Sequence, residues 1–255
     1  MFTVTTADLE LAVATLVYPF LRVLALMSSA PVLSHRSVPR TARIGFAFLV
    51  ALLIAPTLPQ GGAVSPFSAA GVLLVIQQVV VGVAIGLVMQ AVFAAADVAG
   101  ELVGLQMGLS FGSFVDAQNS DPSPIVASFL TLTLMLVFLG VDGHLLMIAA
   151  LVDTFQTFPV APSTPFSPLD AGALARVGRE LFATGLMLAL PVVAAMLLAN
   201  LALGVLVRTA PQLNLFAVGF PVTLTVGLGM LALSLPFVVP AMEQALLRGF
   251  ALLPR

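Results

Sequence analysis

Cysteine, tryptophan and lysine are absent from this chain of 255 residues, and tyrosine occurs once, as Tyr18. Without cysteine there is no disulfide framework, thiolate nucleophile or cysteine-based metal site. Two histidines, His35 and His144, are too few and too scattered for a histidine metal site. The missing tryptophan removes most of the aromatic belt that anchors spans at a lipid interface, which points to helices that do not all face ordinary bilayer. Charge is scarce as well: 8% of residues are charged, against roughly a quarter in a soluble domain. The net charge of −2 speaks against a nucleic-acid partner.

What is present in excess is apolar side chain, at 60% of residues. Such a composition cannot cover a water-facing surface, so a soluble enzyme is excluded, and it is far too apolar for disorder. An all-α integral membrane protein remains. The N-terminal run MFTVTTADLE has acids at Asp8 and Glu10 and no base. It does not read as a signal peptide, and the chain is expected to start at residue 1.

Six apolar stretches are predicted as helices: Leu9–Ala30, Ile44–Leu58, Ala69–Ala96, Ile125–Leu151, Leu181–Val207 and Leu215–Met242. A spanning helix needs roughly 20 residues, so the second is short and the third, fifth and sixth are long. Pro19, Pro191, Pro221 and Pro236 fall inside these stretches. Each removes a backbone donor and clashes with the preceding turn, so kinked helices or re-entrant hairpins are expected. Between the fourth and fifth stretches, Pro159, Pro162, Pro165 and Pro168 recur every three residues. That period matches polyproline II and predicts a stiff extended connection, whose proline edge a partner groove can also read.

The arginines give an ambiguous topology. If all six stretches cross, Arg36, Arg40, Arg43 and Arg208 oppose Arg176, Arg179, Arg248 and Arg255, and the positive-inside rule is tied. If the region of the third and fourth stretches holds a hairpin that does not traverse, Arg208 alone opposes the others. The N-terminus is then expected outside and the C-terminus in the cytoplasm.

The most informative segment is DVAGELVGLQMGLSFGSFVDAQNSD, Asp97–Asp121. Gly100, Gly104, Gly108 and Gly112 recur at four-residue spacing, and Gly82 and Gly86 form a similar pair upstream. On a helix this leaves a side-chain-free ridge that another backbone can approach closely. The approach can come from another subunit or from the same chain. Met107, Leu109, Phe111 and Phe114 then mix with Gln106, Ser110 and Ser113 before a polar turn-forming run. Deformable apolar tips on a loop suit a plug in a pore; a helix end followed by a solvated loop is the plainer reading. Asp97 and Glu101 share a helix face, and Asp142 and His144 interrupt the fourth stretch. Ionisable groups at membrane depth are costly and usually paired or functional. Asp142 and His144 can be a proton relay of a secondary transporter; alternatively the ionisable groups pair with arginine on neighbouring subunits, or the VDGH run is a polar turn that divides the stretch into a hairpin. No hydrolytic carboxylate pair, activated nucleophile or phosphate-cradling loop is recognisable, and no cofactor is expected.

APVLSHRSVPRTARIGFAFLVALLIAPTLP (Ala30–Pro59), GELVGLQMGLSFGSFVD (Gly100–Asp116) and APQLNLFAVGFPVTLTVGL (Ala210–Leu228) resemble the FliR family of the bacterial type III export apparatus. The resemblance covers nearly the whole chain in order. The Pro-Gln-Leu-Asn run at Pro211–Asn214, followed by Gly219-Phe220-Pro221, carries its most specific part. The resemblance implies a non-enzymatic subunit of a flagellar export gate, built with FliP and FliQ, with FlhB and FlhA as further partners and unfolded export substrates in transit. It implies a FliP-like part over 1–170 and a FliQ-like helical hairpin over 171–255, in the inner membrane at the flagellar basal body. It also implies a channel loop at Gln106–Asp121, including Gln106, Met107, Gly108, Leu109, Phe111, Gly112, Phe114 and Asp116. Pro211, Gln212, Leu213 and Asn214 would begin the turn of the C-terminal hairpin. A virulence-secretion paralogue of the same architecture is the alternative within the resemblance.

Overall fold

The structure is a computed structural model that describes residues 6–35, 37–58, 64–66, 68–109, 124–161, 171–210 and 215–253. Among them there is no strand. Among the described residues seven α-helices follow one another: α1 Thr6–Ser29, α2 Arg40–Ile54, α3 Ala69–Gln106, α4 Ile125–Gly140, α5 Gly143–Thr157, α6 Ala171–Thr209 and α7 Leu215–Ala251. A 3-10 turn, Ala55–Thr57, extends α2. The expected all-α membrane architecture is therefore what the chain forms, with four helices long and apolar enough to cross a membrane, or five if α4 and α5 count as one span.

Helix starts follow from local chemistry. Ser68 caps α3: its hydroxyl donates to the Ser65 carbonyl and accepts from the Gly71 N–H at 3.0 Å, satisfying a donor that a helix start leaves unpaired. Pro39 and Pro124 immediately precede α2 and α4, and their carbonyls accept the first helical bonds, from Arg43 and Ser128. The internal prolines lie within continuous helices. Helix assignment continues through Pro19 in α1, Pro191 in α6, and Pro221, Pro236 and Pro240 in α7. Each costs one backbone bond, and the flanking apolar residues keep the helical path.

The break comes instead at Asp142, the αL residue between α4 and α5, with φ 54 and ψ 34. Aspartate tolerates this region better than bulky residues do. The VDGH run thus divides the fourth stretch as a polar turn. It is an elbow at which one helix ends and the next begins.

Three helices are far longer than a bilayer needs. α3, α6 and α7 have 38, 39 and 37 residues, roughly 55–60 Å at about 1.5 Å per residue. The hydrocarbon core measures about 30 Å. α3 outruns its predicted end because Asp97 and Glu101 interrupt the hydropathy of the stretch without breaking the helix.

The chain divides into two compact units. The first comprises Met1–Ala91, Asp142–Val177 and Arg248–Arg255; the second comprises Val92–Val141 and Gly178–Leu247. In the first unit, Tyr18 and Ala14 of α1 pack with Leu74 of α3. Further along, Arg22 meets Gln78, and Gly86 meets Ser29. Contacts on the two helices advance in step, so α1 runs parallel to this part of α3 and α2 must return between them. In the second unit, the Phe93 and Phe138 rings meet edge to face with centroids 6.0 Å apart.

Candidate functional site

Helix α3 ends in a Schellman motif. Leu109 N–H returns to the Gly104 carbonyl at 3.0 Å and Gly108 N–H to the Leu105 carbonyl at 3.1 Å. Gly108 has φ 78, the left-handed conformation that this motif places just beyond the helix and that glycine adopts at least cost. Here the expected loop begins. Of its named residues, Gln106, Met107, Gly108 and Leu109 are described. Phe111, Gly112, Phe114 and Asp116 lie outside the described residues, as do Pro211, Gln212, Leu213 and Asn214 of the expected hairpin turn and Pro162, Pro165 and Pro168 of the connection.

The root of the loop is held by the two C-terminal helices. Met107 is fully buried. A Cβ added at Gly227 of α7 would stand 2.5 Å from Met107 Cγ and 3.1 Å from its Sδ, so the methionine occupies the room that glycine leaves. Thr223, one turn earlier on α7, donates to the Met107 carbonyl at 3.2 Å. Asn200 of α6 donates to Gln106 Oε1 at 3.4 Å.

The glycine ridge is occupied largely from within the chain. A Cβ at Gly82 would stand 2.8 Å from Ala25 Cβ and run into the Arg22 carbonyl; at Gly86 it would stand 2.6 Å from Ser29 Cβ. At Gly100 it would strike the Ala127 backbone, with Ala127 Cβ 2.8 Å away. Gly104 differs, since a Cβ there meets nothing within 4 Å among the described residues.

The scarce charges sort into unlike environments. Asp97 accepts a hydrogen bond from the Thr131 hydroxyl of α4, and both Asp97 and Glu101 are exposed on α3. Asp142 is exposed at the elbow. His144 has a buried Nδ1 without a partner among the described residues, and no hydrogen bond joins it to Asp142. Among the described residues no three histidine, aspartate or glutamate side chains gather to hold a metal.

The residue that sequence reasoning passed over is Arg22. It lies on α1 and is completely buried. Its Nε donates to Gln78 Oε1 at 2.7 Å, Nη1 to Thr154 Oγ1 at 3.0 Å, and Nη2 to the Phe158 carbonyl at 2.8 Å. These partners are neutral, but Phe158 terminates α5, where unpaired carbonyls give the negative end of the helix dipole. Tyr18, one turn earlier, donates to the Val64 carbonyl at 3.1 Å. One face of α1 thus ties down the residues entering α3 and those leaving α5. The available signal was a lone arginine inside an apolar stretch, four residues after the sole tyrosine.

Comparison with known proteins matches residues 13–249 to the family described as bacterial export proteins, family 1. The chain is 47% identical over 254 residues to the flagellar biosynthetic protein FliR of Pectobacterium carotovorum, covering 99% of this chain and 96% of that one. It is 45% identical over 236 residues to FliR of Escherichia coli, covering 92% and 90%. With FliR of Bacillus subtilis the identity is 33% over 224 residues, covering 86% of each.

Proposed function

This chain belongs to the bacterial export proteins of family 1, and on that premise we propose that it is a structural and gating subunit of the flagellar type III protein export gate. The relatives carry a flagellar biosynthetic name across nearly their full length, which favours the flagellar system over a virulence paralogue. The subunit forms a channel with FliP and FliQ, contacts FlhB and FlhA, and passes unfolded export substrates. It performs no covalent chemistry, so energy comes from its partners. Its place is the bacterial inner membrane at the flagellar basal body, with the N-terminus outside and the C-terminus cytoplasmic. Residues 1–170 act as the FliP-like part and 171–255 as the FliQ-like hairpin. The loop Gln106–Asp121 closes the channel, with Phe111 and Phe114 as sealing side chains.

One observation carries the assembly reading: three apolar helices overshoot the bilayer about twofold while keeping apolar faces bare. Leu198 and Leu201 of α6 are 70% and 67% exposed, and Phe237 of α7 is 74% exposed. Lipid covers only part of such a length, and neighbouring apolar helices cover the rest. Co-expression with the FliP and FliQ partners, followed by mass measurement of the purified complex, tests this. A single hetero-oligomer containing this chain is expected. A chain that purifies alone and moves a small solute in liposomes sinks the proposal.

A further inference from the structure

We propose that Met107 anchors the root of the channel loop to helix α7, fixing the point at which the backbone leaves α3. The proposal rests on the reading that Gln106–Asp121 closes a channel. It changes the role of Met107 within that reading, from a sealing side chain to a positioning one.

The seat is built from two residues one turn apart on α7. Gly227 supplies the space. A side chain there would come within 2.5 Å of Met107 Cγ, whereas carbons settle about 3.5–4.0 Å apart. The single hydroxyl proton of Thr223 is shared between the Met107 carbonyl at 3.2 Å and the Phe220 carbonyl of its own helix at 3.0 Å. Side chain and backbone of Met107 are therefore both fixed on one face of α7. The unbranched thioether suits a narrow slot. Gln106, the residue before, is tied across to Asn200 of α6. The hold ends there. The N–H groups of Gly108 and Leu109 turn back to α3 itself, and Gly108 has already entered the left-handed region. The anchor is thus the last residue before the left-handed turn at Gly108.

The assembled gate, purified with its partner subunits and reconstituted in planar bilayers, reads the anchor as ion conductance. Three variants are compared. Deleting Leu109–Gln118 is expected to make the closed gate leak; a tight deletion gate overturns the loop reading, and the anchor with it. Gly227→Leu evicts Met107 and is expected to leak to the level of the deletion while still co-purifying. A tight Gly227→Leu gate beside a leaking deletion overturns the anchor alone. Where Gly227→Leu does not assemble, Met107→Ala, which empties the seat without adding bulk, is read by the same two outcomes.

The third variant is Met107→Cys with Gly227→Cys, in a chain without other cysteine. The two Cβ atoms would lie within about 4 Å, the span a disulfide needs. With a mild oxidant the bond is expected to form, the closed gate to stay tight and export to continue. Failure to crosslink, or a crosslinked gate that no longer exports, overturns the proposal, because an anchor remains seated during transport.

Discussion

The guanidinium carbon of Arg22 lies 3.7 Å from the centre of the Phe155 ring. The ring covers a cation whose donors reach Gln78, Thr154 and Phe158, so a charge without a carboxylate is accommodated by an aromatic face, neutral acceptors and a helix end. Replacing Arg22 with Met leaves the Gln78 and Phe158 acceptors buried and unpaired. A loss of roughly 2–4 kcal/mol is expected, read as a lower melting temperature of the purified complex. Arg22→Lys is expected to recover little of it, since one ammonium cannot span a fork of three acceptors. Equal melting of Arg22→Met and the unaltered chain contradicts the clamp.

Gly100 and Gly104 separate two kinds of close packing. Gly100→Val drives a side chain into the Ala127 backbone and is expected to abolish accumulation of the chain itself. A Cβ at Gly104 meets nothing within 4 Å among the described residues, so Gly104→Val is expected to accumulate yet fail to co-purify with FliP and FliQ. Immunoblots of membranes before and after affinity purification distinguish the two losses. Normal co-purification of Gly104→Val removes Gly104 from the subunit interface.

Asp142 tests gate against transporter. If its work is to hold an αL elbow, Asp142→Asn keeps that conformation available and flagellar export is expected to stay near normal. Asp142→Val places a β-branched residue at φ 54 and is expected to cost about 1–2 kcal/mol, seen as reduced swarming at elevated temperature. Complete loss of export in Asp142→Asn would instead support a titrating carboxylate.

Phe111 and Phe114 carry the sealing role by resemblance. Changing both to Ala removes two large deformable surfaces, and the assembled gate is expected to leak ions while retaining its subunit composition. Unchanged conductance counts against these two side chains as the seal.

Hydropathy reported the helices well and their ends poorly. The stretch beginning at Ala69 was legible because it is apolar on every side. Its continuation through Asp97 and Glu101 to Gln106 was not, because a charged residue lowers hydropathy without weakening the helical backbone. Gly108 explains the stop once its φ is known, yet in sequence it is one of four glycines in register. The prolines mark none of these ends, since the helix continues through Pro191 and Pro236. Loop arginines were tallied for topology and Arg22, inside a stretch, escaped that count. Its partners at Gln78, Thr154 and Phe158 are distant in sequence, and no local pattern announces them. Met107 was readable as part of a loop, but its seat at Gly227 is a tertiary fact.

The bond from Arg22 to Phe158 joins residues 136 positions apart. At ribosomal speeds of about 5–20 residues per second, roughly 7–27 s pass between synthesis of the donor and of its acceptor. For the first 56 of those residues the nascent first helix carries a cation with none of its three acceptors, and until Phe158 emerges it has Gln78 and then Thr154 but not the helix end. Insertion of this polypeptide is therefore a timed event: its opening segment must be sheltered until the fifth helix arrives to receive it.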